Sequence, residues 1–539
     1  MSEKRKPIAV FDVETDPFKH GRREKPFLCG WYDGKSYRLF RGADCVRQMW
    51  SECASKFDGY VYAHSGGKFD FKFLLPHLPK KPLEIFNIRG RIASIRTARA
   101  EFRDSYLLIP VPLAAYGKKE IDIWKLEAEH RGKHAKEIEE YLRVDCYSLH
   151  EMLTEFTTEH GIGLTLAGRT FAILKEKFGM KPPHANEWHD TTYRNFYYGG
   201  RVQFWELGRL KGKFQIFDIN SAYPWAMKFE HAFSTKFTVT EKLPTSEEKL
   251  LRGFVEFTGT AIDLPWRGED GALNFTERKG EFNVTGWEFV AALKAGRVKV
   301  DEILAFHGSK ETRDFGGFVD YFYKQKAAAE TPGARLFAKL ILNSAYGRFA
   351  LNPKMFRDVL ALPLGDDWNE EENGEQSEWE IAQIMPEIGL VIWERPAEVN
   401  RNSYYNVATA ASITGCVRAY LLESMAKCRR VVYCDTDSVM VENGDALTKG
   451  GKLGEWKHEG ETVNGGLHIA GKKLYAAKLT DGTWKTASKG VDLSPEQICK
   501  VAGGQSMTST FDAPTFSLLS GERWITRTVR RADKRKANA

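Results

Sequence analysis

Tyr433-Cys434-Asp435-Thr436-Asp437-Ser438 is the stretch that decides the fold of this chain. Apolar residues come before and after it, so it predicts a strand, a tight turn that carries two carboxylates, and a second strand. Such a β-hairpin presents two acids where a divalent metal can reach them. An Asp-x-Asp on a solvated turn is the alternative, and three further segments decide between the two interpretations.

The first of these segments is Phe217-Asp218-Ile219-Asn220-Ser221-Ala222-Tyr223-Pro224. It predicts a strand that ends at Asp218 and then a helix with Pro224 in its first turn, which places the carboxylate at a strand end. Asp218 and Asp435 are far apart in sequence, so only the fold can bring them together. Two carboxylates that share two Mg²⁺ ions activate a hydroxyl and stabilise a leaving pyrophosphate, which is the chemistry of nucleotidyl transfer.

The other two segments supply cationic and aromatic groups. On a predicted helix, Lys339, Asn343 and Gly347 fall at intervals of four and share one face, with Tyr346 alongside. A lysine on that face would neutralise the charge of a triphosphate. Lys473-Leu474-Tyr475 is a strand-like basic and aromatic pair that suits a nucleic acid backbone.

A second group of acids lies in the N-terminal third of the chain. Val10-Phe11-Asp12-Val13-Glu14-Thr15 predicts a strand on which the two acids point to the same face. Two acids on one face of a buried strand are costly without a cation, so the pattern favours a metal site over a plain edge strand. Phe69-Asp70 and Tyr141-Leu142-Arg143-Val144-Asp145 add two further acids.

The order of these motifs resembles family B DNA polymerases, and their details are similar to the protein-primed subgroup of small tailed phages. The matching motifs are Asp-x-x-Ser-x-Tyr, Lys-x-x-x-Asn-Ser-x-Tyr-Gly, Tyr-x-Asp-Thr-Asp-Ser and Lys-x-Tyr. By this resemblance Asp218 and Asp435 bind the catalytic metals and Asp437 supports them, with Ile219 as a further metal ligand. The resemblance covers nearly the whole chain.

The resemblance also implies the substrate contacts of the polymerase. The expected nucleotide-binding residues are Tyr223, Lys326, Arg335, Lys339, Asn343 and Tyr346. The expected DNA-binding residues in this part are Arg194, Tyr197, Gly199, Gly200, Lys473 and Tyr475. The two glycines let a backbone approach a phosphate closely, although a plain β-turn in a tyrosine-rich strand is the alternative. Arg335 stands where lysine is more usual.

The N-terminal acids resemble the three motifs of 3′–5′ proofreading exonucleases. This resemblance makes Asp12, Glu14, Asp70 and Asp145 the ligands of two metals, and Tyr141 the residue that orients the attacking water. The expected contacts with single-stranded DNA are Ser65, Phe69, Ser105 and Tyr106. Ser65 stands where asparagine is usual and Tyr106 where leucine is usual, and an aromatic ring can stack on a base. Lys118 occupies the place of the lysine that assists exonuclease catalysis, and Lys119 competes for that role.

The expected fold is α/β (α+β), with an RNase H-like exonuclease domain over 1–165 and a right-hand polymerase domain over 166–539. Within the polymerase, the expected parts are a palm over about 190–227 and 405–475, a first insertion over about 228–320, fingers over about 321–350, a second insertion over about 354–396 and a thumb over about 476–539. Both insertions resemble terminal-protein regions. They imply priming by a terminal protein, strand displacement, and replication of a linear viral or plasmid genome.

Composition agrees with a globular enzyme. The 539 residues are 42% hydrophobic and carry a formal charge of +7, which suits two or more domains and a DNA-binding surface. The cysteines show neither a Cys-x-x-Cys pair nor regular spacing, so we expect no zinc site, no disulfide framework and a cytoplasmic location, in the host cell if the protein is viral. We expect a monomer away from membranes, with DNA, deoxynucleoside triphosphates and two Mg²⁺ or Mn²⁺ ions per active site.

Two other functions fit part of the pattern. A nucleic-acid-primed family B polymerase has the same catalytic motifs, but such enzymes are generally larger and lack both insertions. A catalytically silent DNA-binding relative would have lost metal ligands, and every expected ligand is present. The run Gly163 to Thr170 imitates a P-loop, but Arg169 stands where lysine is required, so a loop that leads into a helix is favoured.

Overall fold

The structure is a computed structural model that describes residues 6–19, 22–78, 83–116, 120–182, 186–365, 379–397, 405–488, 490–511 and 513–533. In chain order the helices are α1 Cys45–Glu52, α2 Asp70–Leu74, α3 Ser105–Leu108, α4 Ala135–His160, α5 Leu166–Phe178, α6 Glu187–Arg194, α7 Ala222–Ala226, α8 Glu247–Leu251, α9 Gly286–Lys294, α10 Gly316–Ala328, α11 Pro332–Phe349, α12 Val407–Ala426 and α13 Pro495–Ala502. No helix in the described ranges is long and apolar enough to cross a bilayer.

The strands are numbered in the same way. They are β1 Ile8–Thr15, β2 Pro26–Tyr32, β3 Tyr37–Arg41, β4 Tyr60–Ala63, β5 Leu83–Ile88, β6 Arg91–Arg96, β7 Glu101–Asp104, β8 Val202–Phe204, β9 Gly208–Leu210, β10 Gln215–Ile219, β11 His231–Ala232, β12 Phe237–Thr240, β13 Gly253–Ala261, β14 Trp266–Arg267, β15 Leu273–Asn274, β16 Arg278–Thr285, β17 Val298–Ser309, β18 Thr312–Arg313, β19 Arg357–Pro363, β20 Glu380–Met385, β21 Leu390–Pro396, β22 Arg429–Asp435, β23 Ser438–Asn443, β24 Trp456–Gly471, β25 Leu474–Leu479, β26 Trp484–Ser488, β27 Met507–Thr510, β28 Thr515–Ser517, β29 Gly521–Arg523 and β30 Thr526–Val529.

One ten-stranded sheet joins the N-terminal part of the chain to a distant hairpin. Its order is β20-β21-β19-β5-β6-β7-β4-β1-β2-β3, and β4 runs parallel to both β1 and β7. Strand β19 pairs antiparallel with β5, from Arg357 opposite Asn87 to Ala361 opposite Leu83. The expected second insertion is therefore continuous with the N-terminal sheet. Its sequence did not indicate this pairing, because the partner of an edge strand leaves no local signal.

A second sheet carries the acid-bearing hairpin. Its order is β26-β25-β24-β10-β23-β22-β8, and β9 also pairs with β24. Strands β22 and β23 form the predicted hairpin, and β10 lies on the other side of β23. As a result Asp218 and Asp435 both lie opposite Ser438. Helices α11 and α12 cover this sheet and bury Ile341 and Ile413 in a shared core.

The expected first insertion contains a four-stranded antiparallel sheet in the order β12-β17-β13-β16. Helix α9 packs on it and begins with a capping box, in which Thr285 and Glu288 satisfy each other's backbone N–H groups. Helices α10 and α11 form a hairpin, and the Thr331 side chain caps α11 by accepting from the Ala334 N–H at 3.0 Å. Beyond Ser488 the chain adds α13 and two small hairpins. The expected domain boundaries stay predictions.

Candidate active sites

Two acids of the second sheet lie on the two strands that flank β23, and one of them forms an ion pair with a lysine. Asp218 and Asp435 lie on either side of Ser438, so their side chains leave the same face of the sheet. Lys473 Nζ lies 2.5 and 2.6 Å from the two carboxylate oxygens of Asp435. The charge of Asp435 is therefore balanced within the protein.

A third acid, Asp437, lies in the turn itself and beside Asp218. Its backbone carbonyl accepts a 2.8 Å hydrogen bond from the Ile219 N–H, which joins the hairpin to the end of β10. Burial, and then the Asp218 carboxylate, raise the pKa of Asp437 to about 6. Burial, and then Glu459, also raise the pKa of Asp218. Two adjacent carboxylates whose ionised forms are disfavoured fit a divalent cation, because its charge removes the repulsion between them.

Backbone strain marks the same motifs. Seven non-glycine residues in the described ranges have a positive φ, and four of them lie in the predicted motifs: Ser65, Ser221, Thr436 and Lys473. Thr436, with a φ of 61°, is β-branched, and such residues rarely adopt this conformation. The Asp437 N–H donates to the carbonyl two residues back, which makes a γ-turn. Strain of this kind persists where the surrounding structure holds a functional group in place.

The Tyr-x-Gly-Gly segment is packed against this strained turn. A Cβ on Gly200 would lie 2.6 Å from Thr436 Oγ1, so glycine is required for the close approach. Arg418 of α12 is 3% exposed and donates to the carbonyls of Tyr198 and Gly199 at 2.5 and 2.9 Å. The segment therefore supports the acid-bearing turn directly. Sequence reasoning missed Arg418, because an arginine in a helix usually lies on the surface.

Three cations lie close together near the turn between α10 and α11. Burial, and then the charges of Lys339 and Arg335, lower the pKa of Lys326. The groups that shift this pKa include no carboxylate. Lys339, Asn343 and the glycine that follows them on α11 are exposed along one face, as predicted. A cluster of like charges beside a polar helix face fits a polyanion such as a triphosphate.

The two tyrosines of the expected nucleotide pocket are in direct contact. The rings of Tyr223 and Tyr346 stack with centroids 3.9 Å apart and planes inclined by 7°. Tyr223 follows the strand end that carries Asp218, and Tyr346 belongs to α11. Burial raises the pKa of both hydroxyls. The stack therefore joins the acid cluster to the cationic helix.

The N-terminal acids form a buried cluster. Carboxylate oxygens of Asp12, Glu14 and Asp145 lie within 4.8 Å of one another. Asp70 is 2% exposed, its Oδ1 has no hydrogen-bond partner among the described groups, and burial followed by the charge of Asp12 raises its pKa well above the usual range. Tyr141 lies one turn before Asp145 on α4. Buried acids with an unsatisfied oxygen fit a metal centre.

A fully buried acid that sequence reasoning missed organises the expected single-strand contacts. Asp104 accepts from the N–H groups of Gly67 and Tyr106 at 3.1 and 3.0 Å, and it pairs with Arg91. The Arg91 guanidinium in turn lies 4.9 Å from the centroid of the Tyr106 ring. Asp104 precedes the expected contacts in sequence, but its role depends on partners that only the fold brings to it.

The other expected single-strand contacts lie around the same loop. Ser65 has a φ of 59° and opens the turn that leads to Phe69. The Phe69 ring meets the ring of Phe18 edge-on, with centroids 5.6 Å apart. His64 Nδ1 lies 3.0 Å from Ser105 Oγ. Phe18 was not predicted from the sequence, and it adds a half-exposed aromatic ring to this surface.

Two expected DNA-binding side chains have partners inside the protein. Arg194 donates to both carboxylate oxygens of Asp190, at 2.6 and 2.8 Å. Tyr475 is 8% exposed and packs edge-on against Tyr433. Lys118 lies outside the described residues, so its role as an exonuclease lysine stays a prediction.

The fold and the two acid clusters define a nucleotidyltransferase of the polymerase class with a second acid centre in its N-terminal domain. Residues 116–421 match the DNA polymerase type B family, described as organellar and viral. The chain is 37% identical over 561 residues to the DNA-directed DNA polymerase of Enterobacteria phage PRD1, covering 97% of this chain and 98% of that protein. The chain belongs to the organellar and viral type B DNA polymerases, and it is a DNA-directed DNA polymerase.

A more distant relative and a solved structure agree. The DNA polymerase of Streptococcus phage Cp-1 is 23% identical over 374 residues, covering 64% of this chain and 61% of that protein. Phi29 DNA polymerase complexed with primer-template DNA and incoming nucleotide substrates superposes with a TM-score of 0.73 at 16% identity, over 98% of this chain and 100% of that chain. This likeness confirms the expected mixed α/β fold. The family also implies the use of divalent metal ions.

Proposed function

We propose that this polymerase adds nucleotides at a Mg²⁺ site formed by Asp218 and Asp437, and that its N-terminal acids form a proofreading 3′–5′ exonuclease. The ion pair between Lys473 and Asp435 carries the first part of the proposal. Both oxygens of Asp435 are held by Lys473, whereas burial and a neighbouring carboxylate raise the pKa of both Asp218 and Asp437, so a cation would relieve this second pair most. The family resemblance instead implied Asp218 and Asp435 as the metal ligands, with Asp437 in support.

Each group in the palm has a defined part in this proposal. Mg²⁺ takes oxygen ligands, and the Ile219 backbone carbonyl can add one to the two carboxylates. Ions bound there would supply the Lewis acidity that favours attack by the primer hydroxyl and departure of pyrophosphate. Lys326, Arg335 and Lys339 neutralise the triphosphate, and the exposed Asn343 face holds it against α11.

The exonuclease proposal is supported by the buried cluster of Asp12, Glu14, Asp70 and Asp145. Tyr141 orients the attacking water. The test is a primer labelled at its 5′ end and annealed to a template. Without nucleotides the wild-type enzyme should shorten the primer from its 3′ end, and with all four nucleotides it should extend it. A primer that stays intact without nucleotides would exclude the exonuclease.

We further propose that a terminal protein supplies the first primer hydroxyl. The two inserted regions support this, because one forms a separate four-stranded sheet beside the palm and the other extends the N-terminal sheet. Both add surface around the palm without supplying any of the acids of either site. A nucleic acid primer needs neither region for catalysis.

Replacement of Tyr223 by valine should relax the choice of sugar. The Tyr223 ring stacks on Tyr346 and forms a rigid wall, so a smaller side chain should admit a ribose 2′-hydroxyl. Discrimination against ribonucleotides should fall by roughly tenfold to a hundredfold. Incorporation kinetics for matched ribonucleotides and deoxyribonucleotides measure it. Tyr346→Phe is the matched control, because it retains the stacked ring. An unchanged preference in Tyr223→Val would show that Tyr223 serves only in packing.

Metal binding in the palm should be visible as a pH-dependent gain in stability. A carboxyl group whose folded pKa is raised to about 6 destabilises the metal-free fold as pH rises from about 4 to 6. Asp437→Asn should therefore raise the free energy of unfolding of the metal-free protein near pH 7.5 by up to about 3 kcal/mol, which a higher Tm would show. Near pH 4 it should change the stability little. Mg²⁺ should stabilise the wild type more than this variant at the higher pH.

The matched control for this measurement is Asp435→Asn. That change leaves the Lys473 ammonium without its carboxylate, so it should lower the Tm of the metal-free protein near neutral pH. Thermal melts in EDTA and in Mg²⁺ at two pH values supply all the comparisons. Equal shifts for the two variants would contradict the distinct roles of the two acids.

A further inference from the structure

The tip of the expected thumb is packed into the core of the N-terminal domain. Strands β28 and β29 form a short hairpin whose Phe516 and Leu518 are 7% and 0% exposed. Both side chains belong to the same hydrophobic core as Phe71 of α2. The Leu518 N–H donates to the Gly90 carbonyl at 2.9 Å. The hairpin is thus a docked part of this domain, although it lies more than four hundred positions from it in the chain.

A buried lysine forms the ionic centre of this contact. Lys72 Nζ lies 2.8 Å from Glu24 Oε2 and 2.8 Å from Glu522 Oε2 of the thumb hairpin. Lys72 is 9% exposed and Glu24 is 8% exposed. A buried ammonium needs its carboxylate partners, and loss of one partner from such a group is costly. Docking of the thumb hairpin therefore fixes the position of the Lys72 side chain.

Lys72 also touches the proposed exonuclease site. It lies two residues after Asp70 on the short helix α2. Its ammonium lies 5.2 Å from the centroid of the Phe69 ring and 4.9 Å from that of Phe73. These distances are in the range of cation–π attraction. A shift of Lys72 would therefore move the ring expected to hold the strand end and the helix that carries an acid of the cluster.

We propose that Lys72 is a positioning residue that couples the thumb to the proofreading site. Glu522 on the docked hairpin holds Lys72, and Lys72 holds Phe69 and the start of α2 in the geometry that strand shortening requires. Release of the hairpin removes this support, so degradation slows when the thumb leaves the N-terminal domain. The inference rests on the proposed exonuclease function.

The test is a double-mutant cycle read out by degradation of a short labelled single-stranded oligonucleotide. This substrate needs neither a template nor the palm. Glu522→Ala removes the carboxylate of the thumb hairpin, Lys72→Met removes the ammonium that it holds, and the double variant removes both. Each single change should lower the kcat for degradation by roughly tenfold to a hundredfold, and the double variant should lose no more than Lys72→Met alone, because Glu522 acts through Lys72. Lys72→Arg keeps the cation and should retain most of the rate. Primer extension in the palm should be retained throughout.

Two further variants keep the result interpretable. Glu522→Gln removes only the charge of a partly exposed side chain, so it should fold and still show the loss in kcat. Glu387→Gln breaks the exposed 4.0 Å pair with Arg23 on the rim of the same contact, and it should leave degradation unchanged. If the wild type degrades the oligonucleotide and the Glu522 variants keep its kcat, the coupling is overturned. If the wild type does not degrade it, the proposed exonuclease fails and the coupling fails with it.

Discussion

Asp437→Asn is expected to abolish nucleotide addition while shortening of a single-stranded 3′ end continues. The change removes one of the two facing acids in the palm and leaves the N-terminal cluster, which lies on a different sheet, untouched. Loss of a metal ligand disables both nucleophile activation and charge stabilisation, so the rate of addition should fall by about a thousandfold or more. Extension and shortening of one labelled oligonucleotide are the two measurements.

The paired variant Asp12→Ala with Glu14→Ala should give the reverse result. It removes two acids of the N-terminal cluster and none from the palm. Asp435→Asn is the informative comparison, because this acid is held by Lys473 and should matter less for addition than Asp437. Normal extension by Asp437→Asn, or a larger loss in Asp435→Asn than in Asp437→Asn, would show that the roles of the turn acids are assigned wrongly.

Replacement of 359–394 by a short Gly/Ser linker is expected to shorten the products of synthesis. This segment contributes β20 and most of β19 and β21 to the N-terminal sheet, and Ala361 and Ile392 are buried in the core that also holds the thumb tip. The palm is joined to the thumb tip through this segment and the N-terminal sheet. Removal of the segment should break that connection. A polymerase that encloses its DNA rebinds it intramolecularly, and the deletion variant should lose this advantage. Its products under excess competitor DNA should therefore be roughly tenfold shorter than those of the wild type. Synthesis should also stop at a duplex block.

Single-nucleotide addition on a short primed template should survive this deletion, because the palm sheet contains no strand from the segment. Exonuclease activity should fall as well, since the deletion uncovers the core beneath β5. Replacement of 366–378 alone by the same linker is the matched control, because it retains β19, β20 and β21. Long strand-displaced products from the larger deletion would exclude the enclosing role of the insertion.

The local motifs were readable from the sequence because each depends on residues close together in the chain. The hairpin around Asp435 and Asp437 was predicted from the apolar residues before and after the turn, and the shared face of Lys339 and Asn343 from helical spacing. These signals determine the type of each element. The family resemblance that the motifs carry predicted the fold class, which the likeness to solved structures confirms.

The missed features are pairings between distant parts of the chain. The buried pair of Arg418 with Glu288 joins α12 to α9 at 2.7 Å, and each residue alone looks like a surface charge on a helix. The pairing of β19 with β5 likewise has no local pattern. The ion pair of Lys473 with Asp435 is the observation on which we propose Asp437 rather than Asp435 as the metal ligand, and sequence spacing did not indicate that pair although both motifs were recognised. Charge balance within a site depends on distances that sequence spacing does not contain.

Protein priming is tested most directly by covalent labelling of a candidate terminal protein encoded by a neighbouring gene. The purified polymerase, that protein, Mg²⁺ and one labelled deoxynucleoside triphosphate are incubated without a DNA primer. We expect the label to become attached to a serine, threonine or tyrosine of the candidate protein, to survive denaturation, and to disappear with Asp437→Asn. An unlabelled protein in a reaction where the same enzyme extends a DNA primer would contradict protein priming with this partner.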